Sequence, residues 1–330
     1  MGPAVGRLMA ATPSPSLSRK RARNISGDRV FRGVVVCFGA VALIAIIFLI
    51  MGAMVAQSAS SIGAFGLKFI FNQNWDPVRR EFGALPFIYG TIVSSVLALI
   101  VATPVSVGVA IFAVEMAPPW LGNAISMIVE LLAAIPSVLL GLWGIFVMIP
   151  FLQKTVEPWF IERFPDMPLF EGPPYGVGLL AGGLILAIMV TPTIVAISRD
   201  VMLAVPISQR EAMLALGATN WEATAKAVLP YCRSGLLGAV VLGLGRAVGE
   251  TMAVTMVIGN RADISASLFH PAYTMASVIA NEFTEATFDL YVSALVEVGL
   301  VLFVVTVLMN AAARLLVWST AQSSHQLGAL

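Results

Sequence analysis

The chain has 330 residues, of which 58% are hydrophobic and only 11% are charged, and its mean hydropathy is +0.92. A soluble domain carries roughly 25% charged residues, so most of the surface of this chain must face lipid instead of water. Its 19 basic and 18 acidic residues nearly cancel, which gives no basis for binding nucleic acid. Two cysteines and two histidines, with no C-x-x-C spacing, argue against a disulfide framework or a zinc site.

Six apolar runs each exceed the roughly 20 residues that a helix needs to cross the hydrocarbon core. The sequence therefore predicts an all-α membrane protein with six transmembrane helices. Their predicted ranges are 33–57, 86–113, 121–150, 176–198, 233–259 and 291–317. Pro104, Pro136 and Pro192 fall inside these ranges, where neighbouring helices can satisfy the freed backbone groups.

The segment before the first helix is basic, with seven Lys or Arg residues and one acid in residues 1–32. The apolar run at 33–57 is too long for a cleavable signal peptide, whose apolar region has about 7–15 residues. We expect an uncleaved signal-anchor with its basic tail in the cytoplasm, because positive charge favours the cytoplasmic side. The tail is expected to be disordered, with a helix on anionic lipid as the alternative. Six helices then place both termini inside.

The predicted organisation follows from these helices. After the tail 1–32 and the first transmembrane helix 33–57 comes an outside loop, 58–85. A core of five further transmembrane helices occupies 86–317, and 318–330 is a cytoplasmic tail. Two more outside loops are expected at 151–175 and 260–290. The last contains an apolar stretch from Met275 to Phe283 that is too short to span. It is either an interfacial or re-entrant helix or an apolar loop packed on the bundle.

The connection between the fourth and fifth helices, residues 206–230, is predicted to be a helical hairpin. A first helix over 208–216 would end at Gly217, which supplies a left-handed residue. Thr219 and Glu222 have the spacing of a capping box that starts a second helix, and Pro230 is expected to end it. The hairpin is either a connector on the membrane surface or a flat surface on which another protein packs.

The hairpin resembles the EAA signature of ABC-importer permeases. The matching positions are Glu211, Ala212, Gly217, Leu229 and Pro230, while Met213 replaces the second alanine and Ala227 the isoleucine. The resemblance implies that the hairpin is a coupling helix seated in a groove of an ATPase subunit.

Two further stretches, 129–137 and 243–254, resemble the PstC family of phosphate-importer permeases, and the long loop 58–85 favours PstC over its sister family PstA. The resemblance implies a type I ABC importer permease fold in the bacterial cytoplasmic membrane. It also implies phosphate as substrate and three partners: a homologous PstA-like permease, PstB-like ATPase subunits and an extracytoplasmic PstS-like phosphate-binding protein.

This chain itself is expected to bind no cofactor and to be no enzyme. None of its four lysines, Lys20, Lys68, Lys154 and Lys226, follows the glycine that a P-loop requires. ATP would be used by the partner subunit.

Ionisable residues within the membrane are candidates for function because they are costly to place there. Arg246 lies 13 residues beyond Arg233, or about 20 Å along a helix, which predicts a position past the midplane. Arg246 and Glu250 would share a helix face, as an internal ion pair or as a site for an oxyanion that the guanidinium binds bidentately. Glu250 could accept a hydrogen bond from monohydrogen phosphate, whereas sulfate has no proton to donate.

Glu130, which precedes Pro136 in the third predicted helix, is the other candidate for the substrate path. A carboxyl paired with a neighbouring helix is the alternative. The glycines beside Arg246, at 243, 245 and 249, permit close approach of another helix, and packing alone could explain them.

Three other functions compete with phosphate import. An importer of a different oxyanion would have the same architecture. An ion-coupled carrier normally shows more helices with internal repeats, and the sequence shows no such repeat. A membrane-embedded enzyme would need a nucleophile and base or a metal site, and neither histidine lies in a predicted helix.

Overall fold

The computed structural model describes residues 18–327, together with the side chains of residues 31, 33–315 and 317. Residues 1–17 and 328–330, within the predicted tails, lie outside this description. The chain divides into two compact units, Met1–Ala53 and Met54–Leu330. Helix α1, Ser18–Gln57, begins 15 residues before the predicted first helix, so the second half of the tail expected to be disordered is helical.

The described chain contains six helices that are long and apolar enough to cross a membrane, which confirms the predicted number. The spanning parts are Gly33–Gln57 of α1, α4 (Leu85–Met116), α6 (Ser137–Arg163), α7 (Leu179–Leu203), α9 (Asn220–Gly249) and Asp289–Leu315 of α12 (Asp289–Leu327). The shorter helices are α2 (Ala59–Phe65), α3 (Lys68–Phe71), α5 (Pro119–Ala133), α8 (Ile207–Ala215), α10 (Met252–Val257) and α11 (Met275–Glu282).

The predicted third helix, 121–150, is wrong because the chain breaks at Pro136. Helix α5 ends at Ala133 and has only 15 residues, too few to cross the hydrocarbon core. Pro136 has an extended backbone, and a proline also disfavours helical geometry in the residue before it. The third spanning helix is α6 instead, and it occupies the first half of the loop predicted at 151–175.

The predicted fifth helix, 233–259, is also displaced. Helix α9 starts at Asn220 and ends at Gly249, so the second helix of the hairpin runs directly into the membrane. Pro230 lies inside this helix and does not end it. The predicted boundary fails because a π-helical turn, Thr224–Val228, precedes the proline.

The same arrangement recurs at four prolines. The π-helical turns Phe112–Met116, Gly144–Met148, Leu152–Val156 and Thr224–Val228 each end two residues before a proline, at positions 118, 150, 158 and 230. Proline lacks an N–H and its ring collides with the carbonyl four residues earlier. The wider turn bonds the residue before the proline to the carbonyl five residues back, as Leu229 does to Thr224. Three of these turns let a spanning helix continue past its proline.

Helix α7 is the most deeply buried of the six spanning helices. It packs against α4 and α9, and its Ile185, Val190 and Ile194 lie in the largest hydrophobic core. Pro104 in α4 and Pro192 in α7 are accommodated within continuous helices, as predicted.

A second core is aromatic and joins the first loop to α11 and α12. The apolar stretch beginning at Met275 is the short helix α11, whose first turn is closed by a capping box between Thr274 and Ser277. Glu282, at its end, accepts hydrogen bonds from Trp75 Nε1 at 2.6 Å and from the Tyr291 hydroxyl at 2.7 Å. Burial raises the pKa of Glu282 above its ordinary value, and these two hydrogen bonds oppose part of the shift.

We predict that Glu282→Gln retains the fold and Glu282→Leu does not. An amide oxygen can still accept from Trp75 and Tyr291, whereas leucine leaves these two partly buried donors unpaired, at about 1–3 kcal/mol each. Because the pKa of Glu282 is raised in the folded protein, the stability of the wild type falls as the pH rises from the ordinary pKa of a glutamate towards the raised pKa of Glu282. The melting temperature of Glu282→Gln in detergent should therefore increase relative to that of the wild type as the pH rises through this range. Equal melting temperatures for the Gln and Leu variants would contradict this account.

Candidate functional site

Arg246 lies one turn before the end of α9, with an exposed side chain. Its Nη1 donates a hydrogen bond to Thr193 Oγ1 on α7 at 3.3 Å. Thr193 precedes Leu203, the last residue of the 25-residue helix α7, by ten positions, or about 15 Å. The guanidinium therefore lies near the middle of α7, and its position past the membrane midplane stays a prediction.

Glu250 is not on the same helix as Arg246, so the predicted shared helix face is wrong. Helix α9 ends at Gly249, and the backbone of Glu250 is extended. Its Oε1 accepts a hydrogen bond from the backbone N–H of Ala253 at 3.3 Å, in the first turn of α10. Among the described side chains no ion pair joins Arg246 to Glu250.

Glu130 lies on the short helix α5 and is exposed, so its predicted place within a spanning helix is wrong. It borders a cavity of about 70 Å³ between α5 and α7, which is also lined by Ser126, Arg199 and Asp200. Arg199 and Asp200 form an ion pair at 3.6 Å. Arg199 and Asp200 lie between Thr193 and Leu203 on α7. Helix α7 therefore contacts Arg246 near its middle and borders the cavity with Glu130 nearer its end.

The three glycines near Arg246 differ in their surroundings. A Cβ on Gly243 would lie 2.8–2.9 Å from the side chains of Val190 and Ile194, so this glycine permits close packing of α9 on α7. A Cβ on Gly249 would have no heavy atom within 4 Å, and one on Gly245 would meet only the amide of Asn310 at 3.7–4.0 Å. Packing inside this chain therefore explains Gly243 alone.

The hairpin has the predicted local geometry. Helix α8 is followed by Gly217 with a φ of +85°. Thr219 Oγ1 accepts from the Glu222 N–H at 3.3 Å, and Glu222 Oε2 accepts from the Thr219 N–H at 3.0 Å, which confirms the capping box. The matched positions of α8, Glu211 and Ala212, are exposed.

The hairpin also presents large apolar side chains that the described part of the chain does not cover. The strongly exposed members are Ile207, Leu214, Leu216 and Trp221. A patch of this kind is typical of a surface that contacts either another protein or the membrane.

Sequence reasoning missed two polar contacts, those of Thr193 and Arg210. Arg210 on α8 pairs with Glu115 at the end of α4, with Nη2 to Oε1 at 2.7 Å. The two residues are 95 positions apart, and no local sequence pattern connects them. Thr193 follows Pro192 in an apolar helix, and nothing in its sequence surroundings indicates contact with an arginine 53 positions away.

Comparison with known proteins places this geometry in a family. The family model described as binding-protein-dependent transport system inner membrane component matches residues 104–320. A chain of the inward-facing MetNI methionine ABC transporter shares the fold, with a TM-score of 0.52 and 21% identity over 74% of this chain and 95% of that chain.

Several relatives share the name phosphate transport system permease protein PstC. The protein of Mesorhizobium japonicum is 51% identical over 263 residues, which cover 78% of this chain and 80% of the relative. The protein of Pasteurella multocida is 46% identical over 284 residues, covering 85% and 88%. The chain therefore belongs to the binding-protein-dependent inner-membrane permeases of ABC transporters and, within them, to the PstC family.

Proposed function

We propose that this permease forms half of the phosphate path of an ATP-driven importer and that phosphate passes Arg246. The family is a membrane subunit, and ATP is hydrolysed in a separate ATPase subunit. The observation that carries the proposal is the exposed guanidinium of Arg246 near the middle of α7, which is hydrogen-bonded to a threonine and, among the described side chains, to no carboxylate.

An arginine near the middle of a membrane helix needs compensation for its lost hydration. A hydroxyl partner leaves most of the five guanidinium donors available, and their planar fork matches two oxygens of a phosphate. Glu250 Oε1 accepts a hydrogen bond from the Ala253 N–H, and the other carboxylate oxygen can accept the hydroxyl of monohydrogen phosphate. This combination favours a protonated oxyanion over sulfate. Sulfate stands for the substrates of the nearest competing function, which is import of a different oxyanion.

Glu130 supports a path that continues along α7. It borders the small cavity with Arg199 on the side of Thr193 that leads to Leu203 and the hairpin. An anion that leaves Arg246 towards the cytoplasm would pass this cavity. Glu130 would therefore line the phosphate path without binding phosphate directly.

The orientation follows the positive charge of the N-terminal segment. Both termini and the hairpin then face the cytoplasm of a bacterial inner membrane. Membership of the family implies an ATPase and a binding protein as partners. We propose PstB-like ATPase subunits at the hairpin, through Glu211, Ala212, Gly217 and the Leu229–Pro230 segment, and a PstS-like protein on the opposite side.

The first prediction concerns the hairpin. The φ of +85° at Gly217 is unfavourable for valine, while asparagine tolerates it. A Cβ at this position would meet no heavy atom within 4 Å, so only backbone conformation distinguishes the two variants. Gly217→Val should lose phosphate uptake while still reaching the membrane, and Gly217→Asn should retain most uptake. Normal uptake by Gly217→Val at normal expression would make the hairpin a simple connector.

The second prediction concerns the path. Arg246→Gln should nearly abolish phosphate uptake, and Arg246→Lys should retain part of it because an ammonium lacks the planar fork. Glu250→Gln keeps an oxygen for the Ala253 N–H and should impair uptake without unfolding the protein. The measurement is uptake of labelled phosphate by proteoliposomes, alongside ATP hydrolysis and complex assembly.

The double variant Arg246→Gln with Glu250→Gln separates transport from structure. If the two residues served only to balance each other's charge, their joint removal would restore uptake. We expect an assembled complex that hydrolyses ATP and remains inactive in uptake. A functional double variant would remove Arg246 from the path.

The third prediction concerns subunit composition. The side of α9 that carries Arg246 also has Tyr231, Leu242 and Gly249 exposed, so one chain covers only part of the path. We expect a homologous PstA-like permease to complete the path, with the fifth spanning helix of each chain, α9 in this one, facing the other. Proteoliposomes with this chain, ATPase and binding protein should take up phosphate only when the second permease is added. Full uptake without it would contradict the pairing.

A further inference from the structure

The guanidinium of Arg210 has four partners at the end of the bundle that carries the hairpin. Its Nε lies 3.2 Å from both carboxylate oxygens of Glu115, and Nη2 lies 2.7 Å from Oε1. Nη2 also donates to the carbonyl of Met202 at 2.9 Å, and Nη1 to that of Val205 at 2.8 Å. One side chain therefore bonds to three residues from two separate segments of the chain.

These partners come from the ends of two spanning helices. Glu115 lies in the final π turn of α4, Met202 lies in the last turn of α7, and Val205 follows that helix. The last carbonyls of a helix lack partners within the helix, and a positive charge is favourable beside them. Arg210 supplies both, so it attaches α8 to α4 and to α7.

The attachment is shielded from solvent. The exposed fractions of the two side chains are 21% for Arg210 and 10% for Glu115. A third hydrophobic core lies at the same ends of the helices and includes Ala110 of α4, Met202 and Val205, with Val228 and Cys232 of α9. Four other ion pairs among the described side chains join residues no more than four positions apart, whereas Arg210 and Glu115 are separated by 95.

We propose that Arg210 is a positioning residue that makes the coupling helix α8 move as one body with the adjoining ends of α4 and α7. This inference rests on the proposed seating of the hairpin in an ATPase. A displacement of α8 would then reach α7 through these partly buried hydrogen bonds. Because α7 is a continuous helix that also carries Thr193, the displacement would be delivered to the partner of Arg246, about 15 Å away.

A structural role alone would produce a different result in suitably chosen variants. Removing one member of a buried ion pair destabilises a protein because the other charge is left unpaired, while apolar replacement of both is often tolerated. The double variant Arg210→Met with Glu115→Leu therefore removes the attachment without leaving a buried charge. Arg210→Lys keeps the charge but cannot contact Glu115 bidentately and both carbonyls together.

The experiment uses the complete complex in proteoliposomes: this chain, the second permease, the ATPase and the phosphate-loaded binding protein. Three quantities are measured, namely the ATPase retained on purification, the ATP hydrolysed and the phosphate taken up. We expect both Arg210 variants to retain the ATPase and the double variant to lose about tenfold in phosphate transported per ATP, within the range for disrupted coupling. Arg79→Gln, which removes an arginine that is 78% exposed and paired with nearby Asp76, should match wild type.

The proposal would be overturned if both Arg210 variants transported as much phosphate per ATP as the wild type. It would also be overturned if the double variant transported as much phosphate per ATP as the wild type while Arg210→Lys did not. If the double variant does not assemble, the ratio measured for Arg210→Lys decides alone, with an unchanged ratio as the contradicting result. A wild-type complex that hydrolyses ATP but takes up no phosphate would contradict the proposed function itself.

Discussion

Arg246 of α9 places its positive charge beside Thr193, near the middle of α7, and the cost of a charge without polar partners within a membrane bundle constrains its surroundings. The protein offers it the hydroxyl of Thr193 and an exposed face of α9. The nearest acid in sequence, Glu250, is directed instead to the N–H of Ala253 because α9 ends at Gly249. The break between α9 and α10 thus leaves the guanidinium available to an anion.

The opposite arrangement holds where the hairpin meets the bundle. There Arg210 is bonded to Glu115 and to two carbonyls in a shielded site. Helix α7 contacts both arginines, one near its middle and one at its end. A guanidinium with few partners, such as that of Arg246, suits a substrate that must bind and leave. A guanidinium bonded to a carboxylate and two carbonyls, such as that of Arg210, suits a permanent attachment between helices. Under the proposed function, the two sites would serve transport and coupling at two positions along one buried helix.

Composition and apolar length predicted the fold class and the number of spanning helices, since lipid imposes a minimum helix length. Local chemistry predicted Gly217 and the capping box of Thr219 and Glu222. Helix boundaries failed at prolines, because Pro136 breaks the chain while a π turn carries α9 past Pro230. The partners of Arg246 and Arg210 could not be predicted, because tertiary packing alone brings residues 53 and 95 positions apart together.

The central claim is that the face of α9 bearing Arg246 lines the phosphate path, and substituted-cysteine labelling tests it directly. Gly249 lies three residues beyond Arg246, is exposed, and has space for a side chain. Gly249→Cys would be made with Cys37→Ser and Cys232→Ser, and an anionic thiol reagent applied to the complete complex during ATP hydrolysis. The account predicts labelling that phosphate slows and sulfate does not. Labelling indifferent to phosphate, or no reaction with a water-soluble reagent, would contradict it.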